Sequence, residues 1–261
     1  MTELTYWSKG KGNRVSVKRL TKPIAEFLTM LQKLQQIDCP YIVRYFEVKL
    51  PFIVMEDCGV SFRYALQKIG ETEDRWEKKF DPKRPGLHWI ATLAQGLQVL
   101  HKLDIVHGDF EAGAVLLGPR AVSAFDAFLN NSIDNIPPTD LDLKIVNFES
   151  RRNVRTSPPE CLMDDPAPAS KQTDSWNFAF MCWEVFSLGG YPWYYLRDED
   201  VLREKLLSGD RPPLTTTGEG RGIVRFKIPD DVTALVTQCW SVDPNARATA
   251  DMMVESLKKY H

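Results

Sequence analysis

The sequence predicts an α+β fold in which a small β-rich lobe, residues 1–58, precedes a larger α-helical lobe, residues 59–261. Two observations indicate this order. Segments that alternate apolar and polar side chains lie in the first part, and segments with helical spacing of apolar residues dominate the second. A chain of 261 residues with 43% hydrophobic residues can bury a sizeable core, so we expect a single domain made of these two lobes.

Three short strands and one helix are predicted in the β-rich lobe. Residues 13–18 alternate and are rich in β-branched side chains, and residues 42–48 and Phe52–Glu56 are strand-like in the same way. Between them, residues 24–37 place apolar side chains at helical spacing, directly after a proline that suits a first helical turn.

Four segments predict the helical lobe. A helix of about four turns begins near residue 87, residues 176–188 are almost wholly apolar and predict a buried helix, and residues 232–239 and Ala250–Leu257 are amphipathic. Residues 119–142 interrupt the pattern with a Pro-Pro pair and four aspartates, which predicts a mildly acidic inserted loop.

Composition excludes several function classes. The formal net charge of −2, from 33 basic and 35 acidic residues, gives no overall field that would attract nucleic acid or a membrane surface. The five cysteines are scattered without CxxC spacing, which argues against a disulfide framework or a zinc site and indicates a reducing, cytoplasmic setting. No apolar run approaches the length of about 18 residues expected of a membrane-spanning helix.

Five motifs in a fixed order carry a resemblance to a known family. They are His107-Gly-Asp109-Phe110, Asn147-Phe148-Glu149, Pro158-Pro159-Glu160, Asp174-Ser-Trp176, and Cys239-Trp240 followed by Pro244-Asn-Ala-Arg247. Together they resemble the eukaryotic protein-kinase domain, and residues 183–193 are similar to the tyrosine-kinase and tyrosine-kinase-like branches. The resemblance implies a bilobal protein-kinase fold over nearly the whole chain.

Most of the residues that phosphoryl transfer needs in that family are replaced in this sequence. Lys18 matches the strand lysine, but Met30 stands where the family has the glutamate that pairs with it, and Glu26, one turn earlier, is an alternative partner. Gly10 and Gly12 do not form a GxGxxG loop, so we expect that the Gly-rich loop is naturally absent or has been trimmed from the chain.

The catalytic loop keeps Asp109 at the position of the proton-accepting carboxylate. Around it, Gly108 replaces the family's arginine, Glu111 and Gly113 stand where the family has a cation, and Ala114 replaces the magnesium-binding asparagine. A carboxylate in place of a cation opposes the negative charge that develops on a transferring phosphoryl group.

The second magnesium position also departs from the family, because Asn147 replaces an aspartate. We therefore expect no metal site, although Glu149 could supply a carboxylate from a shifted position. Only 14 residues run from Asn147 to Glu160, which makes the activation segment short. Its basic residues Arg151, Arg152 and Arg155 could bind an anion or simply lie in a solvated loop.

The residues with structural roles in the family are retained. Glu160 and Arg247 match a buried ion pair, and Asp174 anchors an apolar column that joins the lobes through Leu34, Tyr45, His107 and Phe148. The resemblance also places a nucleotide between Lys18, the hinge from Glu56 to Cys58, and apolar walls at Val17, Met55 and Leu116.

These observations predict a catalytically inactive kinase-like domain, a pseudokinase, that acts as a scaffold or allosteric regulator for protein partners such as an active kinase or a signalling receptor. Residues 119–142 and 215–227 are candidate docking surfaces or neutral loop extensions. One alternative is a sensor that binds ATP without magnesium. Another is a weakly active atypical kinase that uses Asp109 and Glu149.

Overall fold

The computed structural model describes residues 4–8, 14–20, 25–71, 83–121, 125, 141–148, 153–215 and 224–261. Its first lobe is a four-stranded antiparallel sheet in the order β1-β2-β4-β3. The strands are β1 (Leu4–Ser8), β2 (Arg14–Arg19), β3 (Tyr45–Lys49) and β4 (Phe52–Glu56). The three strands predicted from alternation are therefore present, and β1 is an addition at the edge of the sheet.

Helix α1 (Ala25–Leu34) packs beside β3 of this sheet. Its apolar stripe buries Phe27, Leu31 and Leu34, as the helical spacing predicts. The helix is shorter than the predicted span of residues 24–37, because the chain turns after Leu34 and closes hydrogen bonds from Gln36 to Lys33 and from Ile37 to Leu34.

The two lobes are joined by the connecting segment and by backbone hydrogen bonds, since the Val43 N–H donates to the Ile145 carbonyl at 3.1 Å and the Ile145 N–H donates to the Tyr41 carbonyl at 2.9 Å. After β4 the chain runs into helix α2 (Phe62–Glu71), which the sequence analysis did not predict. The Gly59 N–H donates to the Leu117 carbonyl at 2.7 Å, and the Leu117 N–H donates to Val60 at 3.0 Å. Leu117 lies in β5 (Val115–Leu117), which pairs with β6 (Leu143–Ile145) at the top of the second lobe.

The second lobe is built around one buried helix. The helices are α3 (Lys83–Lys102), α4 (Lys171–Phe186), α5 (Glu199–Leu207), α6 (Asp230–Cys239) and α7 (Ala250–Leu257). Every α4 side chain from Thr173 to Phe186 is buried, in agreement with its apolar sequence. Ser170 and Thr173 form a capping box that fixes where α4 begins.

The α+β class and the two-lobe architecture are thus confirmed. The interpretation of residues 119–142 as a loop needs correction at its start, because Ala121 and Phe125 are each 2% exposed and belong to the core of the second lobe. Residues 126–140 lie outside the described residues. Within the part of the chain that is described, no helix is both long enough and apolar enough to cross a membrane.

Candidate functional site

Lys18 and Asn147 meet in the cleft between the lobes. Lys18 Nζ donates a hydrogen bond of 3.2 Å to Asn147 Oδ1. Burial lowers the pKa of the Lys18 ammonium group to about 8, because a neutral amide does not offset the loss of water around the charge. Asn147 itself has a φ of 65°, in the left-handed region that asparagine tolerates better than most residues.

Two residues of α1 stand at or near the family's position for the glutamate that pairs with the lysine. Met30 is half-buried and packs against the hydrophobic core, as expected for a thioether that cannot pair with an ammonium group. Glu26 lies in α1, and its side chain is outside the described residues.

Asp109 is buried and covered by the activation segment. Its carboxylate accepts a hydrogen bond from the backbone N–H of Asn153, at the start of the described part of that segment. Burial, followed by the nearby charge of Glu111, raises the pKa of Asp109 from 3.8 to about 7. Only 7% of the residue is exposed, so a substrate hydroxyl could reach this carboxylate only if the segment moved.

An arginine that the sequence analysis did not select dominates the charge of this loop. Arg63, in the first turn of α2, donates from Nη1 to Glu111 Oε1 at 3.1 Å and from Nη2 to Glu111 Oε2 at 2.8 Å. Its Nε donates at 2.9 Å to Glu184, whose carboxylate is fully buried in α4. Glu184 in turn accepts from the Ala112 N–H at 2.8 Å.

The position of the family's magnesium-binding asparagine offers no side-chain donor. Ala114 is 3% exposed, and its carbonyl accepts from the Val146 N–H at 2.9 Å. Glu149, the alternative carboxylate, lies outside the described residues. Among the residues that are described, no group of three or more His, Cys, Asp or Glu side chains is placed to hold a metal ion.

The predicted nucleotide cleft has a polar wall. Ser16 is 5% exposed, and its hydroxyl donates at 2.9 Å to the carboxylate of Asp57 in the hinge. Met55 is paired in register with Ser16 and therefore lies beside it on the cleft face. This contact places a hydroxyl and a carboxylate where the resemblance leads one to expect an apolar roof for a nucleobase.

The prediction that Val17 lines the cleft is wrong. Successive side chains on a strand point to opposite faces, and Lys18 and Ser16 define the cleft face of β2. Val17 therefore lies on the outer face of the sheet.

The remaining predicted hinge and floor residues, Glu56, Cys58 and Leu116, are half-buried. Leu116 is half-buried in β5. One oxygen of the Glu56 carboxylate lies 3.5 Å from Lys144 Nζ, and the other accepts a hydrogen bond from the Arg44 N–H at 3.3 Å. The Glu56 side chain is therefore bonded to residues of both lobes. Burial, and then the charge of Glu56, raises the pKa of the Cys58 thiol to about 12.

Aromatic contacts of Phe148 connect the two lobes. Phe148 packs on Tyr45 and His107 with ring centroids 6.3 Å and 4.9 Å apart, and Leu34 is fully buried in the same core. At the base, the Asp174 carboxylate accepts from the backbone N–H groups of His107 and Gly108 at 2.9 Å and 2.7 Å. His107 Nε2 donates to the Val146 carbonyl at 2.8 Å, and burial lowers the pKa of its imidazole.

Glu160 and Arg247 form a bidentate ion pair. Arg247 Nη1 and Nη2 donate to the two Glu160 oxygens at 2.7 Å and 2.8 Å, and the Arg247 side chain is fully buried. Its remaining donors bond the carbonyls of Gln172 and Ser241 at 3.0 Å and 2.9 Å.

The Arg155 guanidinium donates its hydrogen bonds to backbone carbonyls of the protein. It donates to the carbonyls of Pro192 and Trp193 at 3.1 Å and 2.7 Å, and also to the Leu196 carbonyl. These bonds tie the activation segment to the segment after α4. Arg151 and Arg152 lie outside the described residues.

Comparison with known proteins agrees with this architecture. A family model described as "Protein tyrosine and serine/threonine kinase" matches residues 3–257. The chain therefore belongs to the protein kinase family.

Individual relatives are distant. The chain is 26% identical to vascular endothelial growth factor receptor 3 of Coturnix coturnix over 74% of its own length and 13% of that protein. It is 25% identical to the proto-oncogene tyrosine-protein kinase ROS of Gallus gallus over 95% of its length and 11% of that protein. It is also 25% identical to the probable serine/threonine-protein kinase roco7 of Dictyostelium discoideum over 63% of its length and 6% of that protein. The chain thus spans a small part of each relative.

Proposed function

We propose that this kinase domain is a pseudokinase, which acts by binding other proteins and does not transfer phosphate. The observation that carries the proposal is the contact between Lys18 and Asn147, in which the amide oxygen at the family's metal-ligand position accepts a hydrogen bond from the strand lysine. At this contact the lysine meets a neutral amide where the family has an aspartate.

The residues present do not fit a magnesium–nucleotide complex. Magnesium in such sites is normally held by carboxylate and phosphate oxygens, but Ala114 supplies only a methyl group and Asn147 only a neutral amide. Without that ion, the developing charge on a phosphoryl group would meet Asp109 and Glu111 rather than a cation. The Arg63 guanidinium does not change this balance, since two carboxylates already share it.

Asp109 adds a second reason. It is 7% exposed, and its carboxylate accepts a hydrogen bond from the Asn153 N–H of the activation segment. A general base needs access to the substrate hydroxyl, and this burial opposes it.

The preserved residues support the binding role. The column through Phe148 and the ion pair of Glu160 with Arg247 maintain a kinase-shaped surface without contributing to phosphate transfer. The proposed partners are signalling proteins, namely an active kinase or a receptor. This class is proposed because the fold belongs to signalling enzymes and one relative is itself named a receptor.

A sensor that binds ATP without magnesium is the second candidate function. Lys18 in the cleft favours it, because an ammonium group can bind phosphate with no metal. The hydrogen-bonded pair of Ser16 and Asp57 opposes it, since a nucleobase would have to lie against a hydroxyl and a carboxylate.

A thermal-shift measurement with ATP, in the presence and in the absence of magnesium, tests the proposal. We expect no shift that depends on magnesium. A metal-independent shift that disappears in Lys18→Met would support the sensor instead. A magnesium-dependent shift accompanied by phosphate transfer would contradict the pseudokinase assignment.

A further inference from the structure

An arginine side chain from another element lies at the catalytic loop, residues 107–114, although the loop itself contains neither Lys nor Arg. In the family that this chain resembles, a cation stands at one of the positions that Glu111 and Gly113 occupy here. Arg63 approaches from α2 instead and donates to both Glu111 oxygens at 3.1 Å and 2.8 Å.

Gly113 leaves the space that Arg63 occupies. A Cβ atom placed on Gly113 would lie 3.0 Å from Arg63 Nη1 and 2.6 Å from Glu111 Oε1. The side-chain direction of position 113 therefore points straight at the guanidinium. The backbone does not require glycine at 113, because the glycines with positive φ in the described chain are Gly108, Gly189 and Gly209.

Glu184 makes this cation necessary. Its carboxylate is fully buried in α4. It accepts hydrogen bonds from the Ala112 N–H and from the Arg63 guanidinium. A buried carboxylate without a cation is costly, whereas one shared with a guanidinium and a backbone N–H is satisfied. Tyr191 covers the outer side of Arg63, with its ring centroid 5.7 Å from the guanidinium carbon.

We propose that Arg63 is the positioning residue of the catalytic loop, and that it supplies from α2 the guanidinium that the loop has lost, through the space left by Gly113. The ion pair of Arg63 with Glu184 holds the turn at Ala112 against α4. The bonds from Arg63 to Glu111 connect α2, the first helix after the hinge, to the catalytic loop. This role does not depend on whether the domain binds nucleotide or transfers phosphate.

The test moves the arginine back into the loop. Arg63→Ala should lower the midpoint of thermal unfolding by about 10 °C, because it leaves Glu184 buried without its cation. Adding Gly113→Arg to that variant should restore at least half of the loss, since position 113 points at the vacated site. Lys68→Ala, on the same helix in an exposed pair with Glu71, is the matched control and should shift the midpoint by about 2 °C or less.

Gly113→Ala probes the same space from the other side. It should lower the midpoint when Arg63 is present and have no further effect in the Arg63→Ala background, because its methyl group displaces the guanidinium. The proposal is overturned if Arg63→Ala is as stable as the wild type, or if the double variant with Gly113→Arg gains nothing. If Arg63→Ala yields no soluble protein, recovery of folded protein in the double variant supports the proposal, and continued insolubility contradicts it.

Discussion

Lys18 donates a hydrogen bond to Asn147, 129 positions further along the chain, across the cleft between the two lobes. In an active member of the family the corresponding lysine and aspartate serve a nucleotide and a metal ion. In this chain the two side chains are hydrogen-bonded to each other across the cleft. Asn147 brings a neutral amide to this contact in place of the family's carboxylate.

Restoring the two family ligands should restore metal dependence. In the double variant Ala114→Asn with Asn147→Asp, we expect a thermal shift with ATP that requires magnesium, because an amide and a carboxylate oxygen then face the phosphate position. The carboxylate should also raise the pKa of Lys18 from about 8 by direct attraction. The single variant Ala114→Asn is the control, and it should give no such shift. A wild-type protein with the same magnesium dependence as the double variant would refute this explanation.

The gain in unfolding free energy from Asp109→Asn should increase as the pH rises. The pKa of Asp109 is higher in the folded state, about 7, than in an unfolded chain, so the folded state holds a proton that the unfolded state releases. Stability is therefore lost as pH rises from about 4 to 7, and asparagine removes this loss. We expect a gain of roughly 2–4 kcal/mol at pH 8 and little at pH 4, measured by denaturant unfolding. The exposed Asp165→Asn is the control, and an equal gain at both pH values would contradict the burial of a charge at Asp109.

Arg247→Ala should be among the most destabilising substitutions in the second lobe. It removes four hydrogen bonds and leaves the Glu160 carboxylate without its cation, which typically costs about 3–5 kcal/mol. Arg203→Ala breaks the exposed pair with Asp164 and should cost about 1 kcal/mol or less. Similar losses for the two variants in urea unfolding would show that burial of the Arg247 pair contributes nothing.

Removing the polar wall of the cleft should favour nucleotide binding. In Ser16→Ala with Asp57→Ala, a nucleobase would meet apolar groups instead of a hydroxyl and a carboxylate, and we expect ATP affinity to rise by about tenfold or more. Isothermal titration calorimetry without magnesium gives the comparison directly. Tighter ATP binding by the wild type than by the variant would mean that the pair of Ser16 and Asp57 recognises the nucleotide.

Local pattern was sufficient to predict much of the fold. Alternation identified β2, β3 and β4, and the apolar run identified α4 with all its side chains buried from Thr173 onward. The same alternation places Val17 on the outer face of β2, whereas the family resemblance alone predicts it in the cleft.

Long-range contacts could not be predicted in the same way. Nothing near Arg63 in the chain indicates that its partners are Glu111 and Glu184, which are 48 and 121 positions away. Gly113 was interpreted only as a lost cation, because a sequence does not show what fills the space beside a glycine. The contact of Ser16 with Asp57 depends likewise on how β2 lies beside the hinge, 41 positions later.

Phosphate transfer by the purified chain is the most direct measurement of the central claim. With ATP labelled at the γ-phosphate, an excess of magnesium or manganese, and generic tyrosine and serine/threonine substrates, we expect no incorporation above that of Asp109→Ala. Incorporation by the wild type that is lost in Asp109→Ala would show that Asp109 is a catalytic residue, and the chain would then be an active kinase.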